Sequence, residues 1–367
     1  MKKTIIILFF CTKIFMLSSF VLANQLAPIT DSHINVFTCR PVAWAKYQED
    51  RAQIKTLSID DVIESMQTDI VPDKCFIQVI NDKKNHNIDT MLYTSRGVQV
   101  DPNSPRITIY CRGYSRGNIP GFPEVVRKGG GIQRLYSYIK DGLLHAPCIT
   151  FDTLSDSKEA SFGQKRDLQC LEHVYNQIRD QAPHAQITLV GTCLGALTIL
   201  EFLTTQRDNV DTVVLISPIF SARRVQKNLA YYYGNFFGFN CAKILYPLLV
   251  KPIFNQLFQL YDRNSDTLED RLHTLTGKAI FIAHYIHDEF VSNDDVSFLI
   301  EKIKRNNEVY FFETDSTLAS HADFSYIHEA INALNFFYQK HALPFNQHFA
   351  QQGEATFEKI RVPLQKV

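Results

Sequence analysis

The feature that most constrains the fold of this chain is an alternation of short apolar runs with segments of helical periodicity. Residues 107–110 and 213–216 are apolar or β-branched at nearly every position, as expected of strands that are buried on both faces of a sheet. Residues 165–182 instead repeat their apolar side chains at helical spacing. Strands that alternate with helices predict a parallel sheet with helices on both faces. The predicted fold class is therefore α/β, with a mostly parallel, doubly wound sheet.

The alternating region extends over residues 75–343. It is preceded by an N-terminal extension, 24–74, and followed by a C-terminal tail, 344–367. Within it, strands are predicted over 75–80, 89–93, 106–111, 147–151, 186–190, 212–216, 278–283 and 308–312, and helices over 133–143, 165–182, 196–204 and 324–341.

A long insertion, residues 219–273, interrupts the alternation. It has helical character and many aromatic residues, among them Tyr232 and Phe236. A segment that leaves the carboxyl end of a strand in an open α/β sheet lies over the ligand crevice. We therefore predict a helical lid insertion whose Tyr232 and Phe236 contact substrate. The alternative is a peripheral helical subdomain without substrate contact.

The segment Gly191-Thr192-Cys193-Leu194-Gly195 carries the strongest chemical signal. It directly follows one predicted strand and precedes a predicted helix, as a nucleophile elbow requires. Glycines at both flanks let the backbone pass closely without a Cβ clash. The helix N-terminus favours negative charge, and a thiolate is the attacking form of cysteine. These features predict that Cys193 is a nucleophile; the alternative is a buried cysteine in a tight turn.

With this segment and the strand that follows it, the chain resembles the α/β-hydrolase superfamily over roughly residues 75–343. Most members carry serine at the elbow. With cysteine at this position, the elbow is similar to that of dienelactone hydrolases, which also has the pattern Gly-x-Cys-x-Gly. Those enzymes are shorter and lack an insertion like 219–273, so that similarity is local. The wider resemblance implies an α/β-hydrolase fold with a nucleophile, an acid and a histidine in that order.

The resemblance places the acid after the seventh strand, where Asp288 precedes Val291 by three residues. Ser292 stands where the family often has proline. Glu289 is the second candidate for the acid. A carboxylate that only caps a turn or a helix is the structural alternative for Asp288.

The resemblance places the general base in the loop before the last helix, which contains His321. His328 is an alternative, but it falls inside the predicted helix on a solvent-facing position. A structural histidine is the other reading of His321.

The resemblance also implies an oxyanion hole made of two backbone amides. One belongs to Leu194. The other lies in the loop after strand 106–111, where Gly113 matches a family glycine and Tyr114 supplies the amide. Arg112 replaces the usual histidine of that loop. Arg112 or Arg116 is a candidate for binding a substrate carboxylate, and a surface arginine is the alternative for each.

Together these residues predict a hydrolase that cleaves an ester, thioester or related acyl bond with Cys193, His321 and Asp288. The expected substrate is a small-molecule or lipid-like acyl compound. Two alternatives remain open: a catalytically silent binding protein with the same fold, and an acyltransferase.

The charge balance and the spacing of possible metal ligands give no support to nucleic-acid binding or to a metal site. The 38 Lys and Arg residues balance the 38 Asp and Glu residues, so the net charge does not indicate a nucleic-acid partner or an anionic surface. His284 and His287 lie beside Asp288, but no third zinc ligand is evident. We therefore predict no metal, no cofactor and no nucleic-acid partner.

Residues 1–23 have the pattern of a secretory signal peptide, with two lysines before an apolar run and small or short side chains up to Ala23. Lys13 interrupts the run, which argues against a stable membrane span of roughly 20 apolar residues. We predict cleavage after Ala23, a secreted or periplasmic protein and no stable membrane span after signal removal. An uncleaved signal that anchors the chain is the alternative.

Overall fold

The structure is a computed structural model that describes the chain in part. The signal peptide and nearly all of the N-terminal extension lie outside the described residues, and in the first two strands only the backbone is described. The described residues, all in one compact unit of 62–116 and 131–367, are 70–81, 84–95, 106–111, 113, 138, 142–145, 148–151, 165–181, 183–205, 210–225, 227–228, 231, 265–316, 319, 321, 324 and 327–363.

Strands and helices follow one another along the described chain. The strands are β1 (Ile70–Asn81), β2 (Lys84–Ser95), β3 (Arg106–Cys111), β4 (Cys148–Phe151), β5 (Gln186–Thr192), β6 (Val210–Ile216), β7 (Ala279–Tyr285) and β8 (Glu308–Thr314). The helices are α1 (Lys165–Gln181), α2 (Leu194–Thr205), α3 (Ser265–Arg271), α4 (Asn293–Ile303), α5 (His328–Lys340) and α6 (Gln347–Ile360).

The eight described strands form one sheet in the order β1-β2-β4-β3-β5-β6-β7-β8. Strand β2 is antiparallel to both of its neighbours, and the six strands from β4 to β8 in this order pair in parallel. The carboxyl ends of β5, β6 and β7 therefore meet at the same edge of the sheet. Parallel pairing needs a crossover between successive strands, and the helices supply it.

The central strands are buried on both faces because their side chains alternate between two apolar clusters. On β6, Val213 and Leu215 pack into the cluster that contains α1, α2 and α4. Their neighbours Val214 and Ile216 pack into the cluster that contains α5 and α6. This arrangement confirms the predicted α/β class and the doubly wound sheet.

Helix α5 begins at His328 rather than near residue 324, where the sequence pattern predicted it. Phe324 and Ile327 are both buried in the core. The amide of Ile327 donates to the carbonyl of Phe324 across a turn. Their spacing of three residues imitates one helical turn, although the helix itself has not yet begun.

The C-terminal residues extend the folded domain beyond residue 343. Helix α6 packs closely on α5, since a Cβ on Gly353 would lie 2.0 Å from the carbonyl oxygen of Asn332. The ring of Phe357 stacks on Tyr310 of β8 with centroids 4.2 Å apart. This helix therefore covers part of the sheet. None of the helices in the described part of the chain has the length and apolarity to span a membrane.

Candidate active site

Cys193 lies on the turn between the end of β5 and the start of α2. Its φ is 53°, a left-handed conformation that is uncommon outside glycine. Its amide donates to the carbonyl of Ile216 at 3.0 Å, and its carbonyl accepts from the amides of Ala196 at 3.1 Å and Ile219 at 3.3 Å. The surrounding backbone thus holds the residue in a strained conformation of the kind found at functional sites.

Gly191 makes this turn sterically possible. A Cβ on Gly191 would lie 2.8 Å from the Cα and amide nitrogen of Ala196 and from the carbonyl carbon of Gly195. All three are backbone atoms, which cannot rotate away as a side chain could. Helix α2 can therefore approach the end of β5 only because the strand carries glycine there, which is the reason that the sequence pattern gives for this residue.

The loop after β3 begins directly beside Cys193. A Cβ on Gly113 would lie 2.9 Å from the Cβ of Cys193, and the Gly113 amide donates to Oγ1 of Thr192 at 3.0 Å. The hydroxyls of Thr192 and Tyr110 lie 3.2 Å apart. Sequence reasoning missed Thr192, which ties the two sides of the site together. Its only sequence signal is a hydroxyl at the variable position of the elbow.

The predicted oxyanion and substrate-binding residues are only partly described. Leu194 is buried. Because it is the first residue of α2, its amide has no acceptor four residues earlier within the helix. Tyr114, Arg112 and Arg116 lie outside the described residues, as do Tyr232 and Phe236 of the insertion.

Asp288 lies in the turn after β7, with its side chain fully buried. Oδ1 accepts from the backbone amides of Phe290 at 2.9 Å and Val291 at 3.1 Å. Oδ2 is 2.7 Å from Nδ1 of His321. Each carboxylate oxygen thus has a donor, which fixes both the carboxylate and the imidazole that it contacts.

Burial and mutual attraction act in opposite directions on this pair. Burial, the largest single effect on each group, raises the pKa of Asp288 and lowers that of His321, because it disfavours both charged forms. The opposite charges and the hydrogen bond between them outweigh burial. As a result, the pKa of Asp288 lies below its ordinary value and the pKa of His321 lies well above its own.

Cys193 lies close enough to His321 to influence it electrostatically. Electrostatic attraction between the sulfur of Cys193 and the imidazole is among the causes that raise the pKa of His321. Nε2 of His321 is buried and makes no hydrogen bond of ordinary geometry to any described residue. The thiol of Cys193 and the imidazole of His321 are therefore neighbours without a hydrogen bond of ordinary geometry between them; such bonds often form only once substrate is bound.

His284 and His287 are the two histidines that could suggest a metal site, and they lie in different surroundings. His284 is fully buried, and its Nε2 lies 2.8 Å from Oδ1 of Asn293. Burial, its largest influence, lowers the pKa of His284. His287 is exposed. The described side chains contain no group of three or more His, Cys, Asp or Glu residues arranged to hold a metal ion.

The bond to His321 distinguishes Asp288 from Glu289, the second candidate for the acid. The carboxylate that bonds to His321 belongs to Asp288, the neighbour of Glu289. His328 is exposed at the first position of α5. Sequence reasoning missed Phe290, whose ring lies 4.6 Å from the imidazole of His321, centroid to centroid. An aromatic residue two positions after the predicted acid is the signal that could have indicated it.

The comparisons with known proteins give matches only at the level of structure. No protein-family model matches the sequence, and no curated protein does either. An esterase from Pyrococcus furiosus is 16% identical, with 73% of this chain and 91% of that one covered and a TM-score of 0.50. A peroxisomal α/β-hydrolase from Saccharomyces cerevisiae is 10% identical, with 81% of this chain and 100% of that one covered and a TM-score of 0.50. At these identities the likeness establishes a shared fold.

Proposed function

We propose that this chain, which has the α/β-hydrolase fold, is a hydrolase that cleaves an ester, thioester or related acyl bond with Cys193 as its nucleophile. The observation that carries the proposal is the position of Cys193. It lies on a strained turn at a helix N-terminus, beside a histidine whose other nitrogen is held by a buried carboxylate. Nucleophile, base and orienting acid in this relation are the requirements for nucleophilic acyl transfer.

In the proposed first step, Sγ of Cys193 attacks the acyl carbon while Nε2 of His321 accepts the thiol proton. The carbonyl oxygen becomes an oxyanion. The amide of Leu194 and an amide from the loop that begins at Gly113 are in the right part of the fold to stabilise it. Collapse of this intermediate re-forms the carbonyl and breaks the bond to the leaving group, which takes the proton from His321.

In the proposed second step, water hydrolyses the acyl-cysteine. His321 accepts a proton from water as the water oxygen attacks the acyl carbon. The bond between carbon and Sγ then breaks, and the proton returns to sulfur as the free acid leaves. Asp288 stays ionised throughout and stabilises the imidazolium that forms in each step. The raised pKa of His321 makes it a stronger proton acceptor.

The proposed substrate is a small-molecule or lipid-like acyl compound. The aromatic composition of the insertion, residues 219–273, favours an apolar acyl group. No step of this chemistry calls for a metal or an organic cofactor.

The test measures hydrolysis of a short p-nitrophenyl ester and a short acyl thioester by wild type, Cys193→Ala and Cys170→Ala. Cys170 is buried in α1, so its variant controls for loss of a cysteine as such. Turnover should disappear in Cys193→Ala and persist in Cys170→Ala. A thiol-directed acylating probe should label Cys193 alone on peptide mapping. Esterase activity that survives Cys193→Ala would exclude the proposed nucleophile.

A further inference from the structure

Arg224 links the two described ends of the insertion to each other and to helix α4. Near the first end, the guanidinium of Arg224 contacts both carboxylate oxygens of Glu269 on α3 at 3.1 and 3.2 Å. It also contacts Oδ1 of Asp295 on α4 at 3.0 Å. The same guanidinium lies 4.1 Å from the ring centroid of Phe298. The chain segments that leave and rejoin the sheet are thus held together on α4.

Asn228 continues this contact towards the acid. Its Nδ2 donates to the backbone carbonyl of Phe290 at 2.9 Å and to Oδ2 of Asp295 at 2.5 Å. Asp295 is itself fixed, because it forms a capping box with Ser292 at the N-terminus of α4. One side chain of the insertion therefore bridges the acid-bearing turn and the helix that follows it.

Phe290 connects three groups of the site. Its amide donates to Asp288, its carbonyl accepts from Asn228, and its ring packs on the imidazole of His321. A shift of this residue would therefore alter the hydrogen bonds of the acid and the packing of the base together. Asn228 is the side chain that restrains its carbonyl.

We propose that Asn228 is a positioning residue, which holds the Phe290 turn so that Asp288 keeps His321 aligned with Cys193. The proposal rests on the proposed hydrolase function for its kinetic consequence. In this role, the first end of the insertion helps to hold Asp288 and His321 in place. Misplacement of catalytic groups lowers the rate of the chemical step more than it lowers binding.

The kinetic test compares Asn228→Ala and Asn228→Asp with Arg223→Ala. The aspartate variant keeps the shape of the side chain but replaces the donor with an acceptor, opposite the carbonyl of Phe290 and beside Asp295. Both Asn228 variants should lower kcat by about tenfold with less than about a twofold change in KM. Arg223 is exposed on the same segment, and its alanine variant should keep kcat within about twofold of wild type.

A second measurement does not depend on turnover. The Nδ1 proton of His321 lies in a short, charge-assisted bond to Asp288. It should give a far-downfield proton resonance in the full chain with ¹⁵N-labelled histidine, assigned by its loss in His321→Gln. The resonance should shift or broaden in Asn228→Ala and Asn228→Asp, and stay unchanged in Arg223→Ala.

The two measurements separate the two proposals. If the wild-type chain shows no turnover but its resonance changes when Asn228 is substituted, the positioning role is supported and the hydrolase function is overturned. Turnover and a resonance that are both unchanged in Asn228→Asp would overturn the positioning role and leave the hydrolase function standing. If circular dichroism shows that Asn228→Ala does not fold, the isosteric Asn228→Asp decides alone.

Discussion

Asp288 and His321 are separated by 33 residues in the chain, and their Oδ2 and Nδ1 atoms lie 2.7 Å apart. The turn after β7 and the loop before α5 bring them together at the carboxyl end of the sheet. The carboxylate is closed off from solvent, whereas the His321 side chain remains 15% exposed. The acid can therefore orient the imidazole without being reached by substrate.

Replacing Asp288 with asparagine should lower kcat by roughly 10²–10⁴-fold, because the amide does not hold the imidazole in the required tautomer. Circular dichroism should show a folded protein. Ester hydrolysis under saturating substrate measures the effect, with Glu289→Gln as the adjacent control. Loss of activity in Glu289→Gln with retention in Asp288→Asn would reverse the assignment of the acid.

The stability that this pair contributes should depend on pH. The pKa of His321 is raised in the folded state, so its contribution is complete below its unfolded pKa of about 6.5 and is lost as pH rises through the folded pKa. The pKa of Asp288 is lowered, so its contribution is complete above about pH 4 and is lost as pH falls through the folded pKa. The pair is therefore most stabilising between about pH 4 and 6.5.

Urea unfolding of wild type and His321→Gln at pH 5, 7 and 9 tests this dependence. The difference in unfolding free energy should be largest at about pH 5 and should shrink towards alkaline pH. His328→Gln, at the exposed start of α5, serves as the control for the loss of an imidazole as such. A difference that grows with pH would contradict the raised pKa of His321.

The fold was predictable because its determinants are local. Burial on both faces leaves β6 continuously apolar from Val213 to Ile216, and the glycine at position 191 reflects a contact with Gly195 and Ala196, within six residues. The proposed site residues follow strand ends, where loops carry function. A tight strand-to-helix turn and the turns that follow strands can be recognised without knowledge of the tertiary structure.

The contacts that Asn228 and Arg224 make were not predictable from the sequence, because they join residues that are far apart in the chain. Asn228 and Phe290 are 62 residues apart, and Arg224 and Asp295 are 71 apart. A lone asparagine or arginine in a helical insertion has no periodicity that indicates its partner.

The late start of α5 was missed because buried turn residues at a spacing of three share the pattern of a helix.

The N-terminal prediction concerns residues outside the described part of the chain. If residues 1–23 are a signal peptide, mass spectrometry of secreted or periplasmic material should find Asn24 at the N-terminus. A variant with Arg in place of Ala23 should be processed poorly, since signal peptidases select small residues at the cut. Recovery of intact Met1 from a membrane fraction would favour an uncleaved anchor.

The insertion should influence which acyl chains are accepted. If Tyr232 and Phe236 line the acyl pocket as predicted, replacing them together with alanine should change the preference among p-nitrophenyl esters of increasing chain length, because a larger apolar pocket admits longer acyl chains. The melting temperature should fall by only a few degrees, which separates specificity from stability. Tyr231→Ala, at an exposed neighbour, is the control. An unchanged preference profile would place this part of the insertion away from the substrate.

Gly191 should tolerate no side chain. In Gly191→Ala the new Cβ would lie 2.8 Å from backbone atoms of α2, so the helix must move away from β5 and carry Cys193 with it. We expect a loss of about 3 kcal/mol in unfolding free energy and a fall in turnover beyond what the unfolded fraction explains. Gly277→Ala is the matched control, because Gly277 has a φ of 70° but a Cβ there would meet no described atom within 4 Å. That variant should lose only about 1 kcal/mol, from backbone strain, and keep its turnover. Equal stability and activity in the two variants would show that the close approach of α2 to β5 does not position the nucleophile.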